Sequence, residues 1–106
     1  TVNARELTTC GRANDTSGTG AMASADIVKM MNPMAYIGTK GTTTSKYWRI
    51  RHGTVDSDTA IAIPAILATR LRNKGYSVDF ALPWDRPHSG DYDLEELFAW
   101  IDGICR

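Results

Sequence analysis

Two short loops contain the residues of this sequence whose types and spacing could carry chemistry. The first loop, 52–58, holds Asp56 and Asp58, and the second loop, 83–91, holds His88. A carboxylate that accepts a hydrogen bond from one imidazole nitrogen fixes the tautomer of the ring and stabilises its protonated form. The other ring nitrogen can then take a proton from a nucleophile. If the two loops meet, we expect His88 to act as a general base that the Asp56 carboxylate holds in position.

The elements around the loops decide whether they can meet. Residues 46–52 and 76–82 predict strands, because aromatic and β-branched side chains recur there. Residues 59–73 and 93–104 predict helices, because their apolar residues recur at helical spacing. A strand–helix–strand unit of this length predicts parallel neighbours with a right-handed crossover, which is an α/β pattern. Ligands bind beyond the carboxyl ends of such strands, so we expect both loops at one rim of the sheet.

Apolar stripes predict which side of each helix is buried. A further short helix is expected over 25–31, and Pro33 ends it because proline disfavours helical conformation in the residue before it. Asp93 is expected to cap the last helix, with Glu96 three places on completing a capping box. The stripes of the two longer helices are Ile63, Ile66, Leu67 and Leu71, and Leu94, Leu97, Phe98 and Ile101.

Simpler roles compete with chemistry at each of these positions. Asp56 and Asp58 could be turn and N-cap residues of the following helix, because aspartate favours caps. His88 alone could be an ordinary surface histidine, and His52 could support the turn that follows the first strand. Asp91 and Asp93 suit a turn and a cap, and the tryptophans suit packing. The placement of an acid and a histidine on adjacent loops is what favours the catalytic interpretation.

Several motifs together resemble one known family. Over about residues 30–102 the sequence resembles the C-terminal end of the bacterial tannase-like esterases, a branch of the α/β-hydrolase superfamily. The motifs occur in the family's order and with similar separations. They are Met31-Asn32-Pro33-Met34-Ala35-Tyr36-Ile37-Gly38, Tyr47-Trp48-Arg49-Ile50-Arg51-His52-Gly53, Asp56-Ser57-Asp58-Thr59, Asp79-Phe80-Ala81-Leu82-Pro83-Trp84 and Pro87-His88-Ser89-Gly90-Asp91-Tyr92-Asp93.

The resemblance implies roles for three residues. Asp56 would be the acid and His88 the base of a Ser-His-Asp triad, and Asp58 would contact the acyl group of the substrate. The implied activity is tannase- or feruloyl-esterase-like hydrolysis of a small phenolic or acyl ester through an acyl-enzyme. The resemblance implies no metal and no organic cofactor. The family's serine, oxyanion-hole donors and galloyl-contacting lysine and glutamate match no position in this sequence.

The serine nucleophile is expected from outside this chain. In α/β-hydrolases the triad residues follow the order serine, acid, histidine, and the serine lies in a Gly-x-Ser-x-Gly elbow. Neither Ser17, Ser24 nor Ser89 lies in such an elbow. Two parallel strands also make an incomplete sheet, because parallel sheets are covered on both faces and usually contain more strands. We therefore expect 1–24 to be a polar loop or flexible arm and 25–106 to be the C-terminal segment of an α/β-hydrolase domain.

Composition narrows the remaining possibilities. The chain has 106 residues and a formal net charge of zero, and no basic patch beyond Arg49 and Arg51 favours nucleic-acid binding. The longest apolar run, 60–68, is too short to cross a bilayer, and the chain does not open like a signal peptide. Cys10 and Cys105 could be separate thiols or one disulfide, and a secreted or a cytoplasmic location stays open.

Two other classes of protein compete with the esterase. A truncated α/β unit could be a non-catalytic binding or assembly module, because its sheet edges and apolar helix faces would drive association. A flavodoxin-like cofactor-binding fragment is disfavoured, because no glycine-rich phosphate loop follows either strand.

Overall fold

The structure, a computed structural model, describes residues 21–88 and 92–106 and has the predicted order of elements. Most of the predicted arm over 1–24 lies outside the described residues, and so does Cys10. Each strand is one residue shorter at both ends than predicted, and the first long helix begins later, at Ala62 instead of 59. The elements are α1 Ala25–Met30, a short 3₁₀ helix Pro33–Ala35, β1 Tyr47–Arg51, α2 Ala62–Asn73, β2 Ser77–Ala81 and α3 Leu94–Cys105.

The two strands form a parallel pair, which confirms the predicted α/β pattern. Tyr47 pairs with Ser77 at one end of the register, and Arg51 pairs with Ala81 at the other. Helix α2 connects the strands and packs against both of them. Because the strands run side by side, the segments that leave Arg51 and Ala81 start at the same edge of the sheet.

Helix α2 buries only part of the predicted apolar stripe, namely Leu71 near its C-terminal end. Its buried residues are Pro64, Ala68 and Leu71, whereas Ile63 and Ile66 are both more than half exposed. Residues 64, 68 and 71 also share a helical face, and α2 is apolar on more than one side, so spacing alone does not select between its faces. Pro64 is tolerated because it lies in the first turn, where a missing N–H costs little.

Local signals in the sequence end α2 and begin α1. Gly75 follows α2 with φ of 84°, and its N–H donates to the Arg72 carbonyl at 2.9 Å. This left-handed conformation favours glycine. The Ser24 hydroxyl accepts from the Ile27 N–H at 3.4 Å and so caps α1. None of the helices in the described part of the chain has the length and apolar composition that a membrane span requires.

Helix α3 has the predicted stripe, but none of its residues is buried by the described residues. Phe98 is 64% exposed, and Leu94 and Ile101 are also exposed. The predicted capping box at its start is wrong: Asp93 precedes the helix, but its side chain makes no cap hydrogen bond. The Asp93 carboxylate instead contacts two arginines of β1.

Candidate active site

The structure brings Asp56 and His88 into direct contact at the carboxyl ends of the two strands. His88 Nδ1 lies 2.9 Å from Asp56 Oδ2. The Asp56 side chain is only 5% exposed, whereas the His88 side chain is 59% exposed. Within the described residues, His88 Nε2 makes no hydrogen bond. The pair therefore has a sheltered acid and an imidazole with one nitrogen available to another group.

The second oxygen of Asp56 holds the loop that carries it. Oδ1 accepts from the Asp58 N–H at 2.8 Å and from the Thr59 N–H at 3.0 Å. A carboxylate that accepts from backbone N–H groups two and three residues on forms a side-chain turn. The turn role weighed for Asp56 is therefore present, but the N-cap role is not, because Ile61 is the N-cap residue of α2. The turn fixes the carboxylate with Oδ2 directed at His88.

The contact changes the proton affinity of both groups. Burial raises the pKa of Asp56, but hydrogen bonds from His88 and from the Thr59 and Asp58 N–H groups outweigh this and lower it to about 2. The hydrogen bond to Asp56 and the charge of that carboxylate raise the pKa of His88 above its ordinary value of 6.5. Asp56 therefore stays ionised at neutral pH and favours a proton on the imidazole.

Backbone hydrogen bonds join the two loops. The Thr54 N–H donates to the Pro83 carbonyl at 3.1 Å, and the Val55 N–H donates to the Arg86 carbonyl at 3.2 Å. The Thr54 hydroxyl accepts from the Asp85 N–H at 2.8 Å. These bonds continue the pairing of the strands beyond the sheet, and they fix the separation of the loops that carry Asp56 and His88.

A second histidine lies beside the same carboxylate. His52 is only 7% exposed, and its Nδ1 lies 3.5 Å from Asp56 Oδ2. Sequence reasoning treated His52 as support for the turn and missed this proximity. The available signal was its position directly after β1, where it enters the same rim as Asp56.

Asp58 is exposed and lies near the pair. Ligand atoms of Asp56, Asp58 and His88 all lie within 4.8 Å of one another, so these residues are also the described group that could hold a metal ion. A metal there would compete for the imidazole nitrogen that faces Asp56. The backbone N–H groups and the imidazole already use both Asp56 oxygens, which favours the acid–imidazole arrangement over a metal centre.

A groove of about 480 Å³ opens beside the pair. Asp56 and His88 line it, and the first turns of α2 supply an apolar wall with Ile63, Pro64 and Leu67. A slightly larger groove of about 520 Å³ runs along the exposed face of α2, but no histidine or carboxylate lines it. The groove at the rim is therefore the one that combines space with acid–base groups.

Fold and site define a chain of the α/β class with an acid–imidazole pair at the ends of neighbouring parallel strands. Solved structures similar to it are bacterial tannases. The tannin acyl hydrolase from Lactobacillus plantarum is 51% identical over 94% of this chain, with a TM-score of 0.84. The tannase of Fusobacterium nucleatum is 56% identical over 90% of this chain, with a TM-score of 0.75. These identities confirm the resemblance predicted from the motifs: the chain is related to the tannases.

The similarity covers a small part of each relative. The chain spans 22% of the Lactobacillus plantarum enzyme and 20% of the Fusobacterium nucleatum enzyme. A further similar structure is described as the tannin acyl hydrolase in complex with ethyl gallate, with 50% identity over 94% of this chain, 21% coverage of that chain and a TM-score of 0.82. No protein-family model and no curated protein sequence matches the chain.

Proposed function

We propose that this chain supplies the acid and the base of a Ser-His-Asp triad in a tannase-like serine esterase of the α/β-hydrolase fold. The observation that carries the proposal is the 2.9 Å contact between His88 Nδ1 and Asp56 Oδ2, with the imidazole still exposed on its other side. Residues 25–106 would form the C-terminal segment of the hydrolase domain. The serine and the oxyanion-hole donors would come from the remainder of that domain.

The proposed mechanism assigns one step to each group. His88 Nε2 takes the proton of the serine hydroxyl as the serine attacks the ester carbonyl, and then gives this proton to the leaving alcohol. Water then attacks the acyl-enzyme carbonyl as the same imidazole takes a proton from it, and the imidazolium returns this proton to the serine oxygen as the carboxylic acid leaves. Asp56 holds the ring through Nδ1 and stabilises the imidazolium that forms at each step.

The proposed substrate is a small phenolic ester. Two of the similar structures are described as tannin acyl hydrolase in complex with 3,4-dihydroxybenzoate and in complex with ethyl gallate. Aromatic acyl groups of this size suit a groove with an apolar wall and a carboxylate at its edge. Asp58, exposed and close to His88, would accept hydrogen bonds from ring hydroxyls and so select hydroxylated acyl groups.

Ester hydrolysis by the full-length protein tests this proposal. We expect His88→Ala and Asp56→Asn to lower kcat on ethyl gallate by about 10⁴–10⁶-fold, as loss of a triad member does. Asp102→Asn is the matched control, because Asp102 is an exposed acid of α3 whose contact is with Arg106. Dialysis against a chelator should leave kcat unchanged; loss of activity that added metal restores would instead support a metal centre.

The rival proposal is a non-catalytic assembly module. The exposed apolar faces of α2 and α3 favour it, since such faces associate. A fluorophosphonate probe separates the two proposals. We expect labelling of one serine outside this chain in the full-length protein, and none within the chain alone. Stoichiometric labelling of a serine within 1–106 would overturn the proposed division of the triad, and no labelling of the full-length protein would favour the module.

A further inference from the structure

Four charged side chains form a cluster on one face of the sheet. Arg49 and Arg51 project from the same face of β1, because alternate residues of a strand share a face. Asp79, the register partner of Arg49, lies on β2, and Asp93 directly precedes α3. Oδ2 of Asp93 lies 2.6 Å from Arg49 Nη2 and 3.3 Å from Arg51 Nε. Arg51 also contacts Asp79 at 2.8 Å.

Three of the four side chains are largely buried, whereas Asp79 is 40% exposed, so mutual attraction is a weak explanation for the cluster. The Arg49 side chain is 7% exposed, and those of Arg51 and Asp93 are each 17% exposed. The Nε atom of Arg49 is buried without a hydrogen-bond partner among the described residues. Desolvation of such charges offsets most of their attraction, and apolar replacements are often as stable. The specific gain from this cluster is a fixed position for Asp93 against β1.

The position of Asp93 is linked to that of His88. Tyr92, the neighbour of Asp93, lies under the guanidinium of Arg86, which is 5.7 Å from the centre of its ring. The backbone carbonyl of Arg86 in turn accepts a hydrogen bond from the Val55 N–H, in the loop that carries Asp56. Tyr92 and His88 line the same groove. Contacts of described residues therefore connect Asp93 and its neighbour Tyr92, through Arg86, to the loops that carry Asp56 and His88.

We propose that Arg49 and Arg51, acting through Asp93, are positioning residues that hold His88 in register with Asp56. The inference rests on the proposed function, because it assigns these residues to the placement of the general base. A misplacement of about 1 Å in such a group lowers the rate by on the order of 10²-fold. Arg51 lines the groove beside His88, but Arg49 and Asp93 do not, so loss of the contact between Arg49 and Asp93 should affect turnover and leave binding nearly unchanged.

Asp93→Asn in the full-length protein tests the inference. The Asp93 side chain makes no cap hydrogen bond, so α3 should still begin at residue 94 in this variant. We expect kcat on ethyl gallate to fall roughly 10–100-fold while KM changes by less than about twofold. The acidic limb of the pH profile of kcat/KM should also move to lower pH, because a looser contact with Asp56 returns the His88 pKa toward its ordinary value. Asp102→Asn, at the other end of α3, should change neither.

Two further variants decide between the possible outcomes. Arg49→Lys keeps the charge but loses the guanidinium geometry at the contact with Asp93, and it should reproduce the same changes in weaker form even if Asp93→Asn does not fold. If Asp93→Asn and Arg49→Lys both match Asp102→Asn in kcat and in pH profile, the inference is wrong. If His88→Ala also retains activity, the proposed function fails as well, so the two failures can be told apart.

Discussion

The carbonyl oxygen of Arg86 lies where a side chain on Gly53 would begin. A β-carbon built at Gly53 would lie 2.0 Å from that oxygen and 2.7 Å from the carbonyl oxygen of Pro87. Both of these atoms belong to backbone, which cannot move aside as a flexible side chain could. Gly53 leaves β1 toward Asp56, and Pro87 directly precedes His88. Glycine at 53 thus permits the approach of the two loops that brings the acid and the imidazole together.

Gly53→Ala should therefore separate the two loops and lower activity. We expect kcat for ester hydrolysis to fall by about 10²-fold, because a displacement of about 1 Å between Asp56 and His88 misaligns the base. Gly103→Ala is the matched control, since a β-carbon there meets nothing within 4 Å. It lies in α3 and should leave kcat unchanged while stabilising the protein by up to about 1 kcal/mol. Equal kcat in the two variants would show that the close approach is not needed.

The raised pKa of His88 predicts the pH dependence of activity. A general base must be unprotonated, so kcat/KM should fall as pH decreases through the His88 pKa, with a midpoint above 6.5. Asp56, with a pKa of about 2, stays ionised over this range. Among the described residues, the charged or titratable groups that line the groove with His88 or lie beside it include Arg51, His52, Asp56, Asp58 and Tyr92.

Replacing Asp56 should shift that midpoint downward. Asp56 is the main source of the raised pKa, through its hydrogen bond and its charge. The residual activity of Asp56→Asn should therefore show an acidic limb at lower pH than the wild type, whereas Asp102→Asn should show no shift. A pH profile recorded with substrate well below KM measures this, and an unchanged midpoint in Asp56→Asn would assign the limb to another group.

Asp58 should govern the choice of acyl group and have little influence on the chemical step. A hydrogen bond to a charged group contributes about 1.5–3 kcal/mol, so Asp58→Ala should lower kcat/KM for esters of hydroxylated aromatic acids by roughly 10–100-fold. Esters of short aliphatic acids lack ring hydroxyls and should be hydrolysed at an unchanged rate. Parallel assays on both kinds of ester test this; an equal loss on both would place Asp58 in the machinery of catalysis.

The sequence predicts the order of elements well, because its signals are local. Tyr47, Trp48 and Ile50 favour a strand, and Gly75 is a helix stop whose φ of 84° the structure shows. The adjacency of the two loops also follows, since parallel neighbours end at one edge. The 2.9 Å contact of Asp56 with His88 is the geometric consequence of that adjacency. The catalytic roles of these residues stay predictions.

The contacts that were missed depend on distant partners. Asp93 is predicted as a cap from its neighbours, yet its carboxylate contacts Arg49, a residue 44 positions earlier. Ile63 and Ile66 fit a buried stripe, but a helix with apolar residues on two sides does not reveal which side faces the sheet. The sequence of helix α3 reveals which of its faces is apolar, but it does not reveal what covers that face. Spacing within one element carries none of this information.

The central claim is that Asp56 and His88 act as one unit, and a double-mutant cycle in the full-length protein tests it most directly. Residues that act as a unit show grossly non-additive effects on kcat. We predict that ester turnover by Asp56→Asn/His88→Ala is no slower than that of His88→Ala alone, because the acid serves only through the imidazole. Losses in kcat that multiply in the double variant, or near-normal turnover in His88→Ala, would contradict the account.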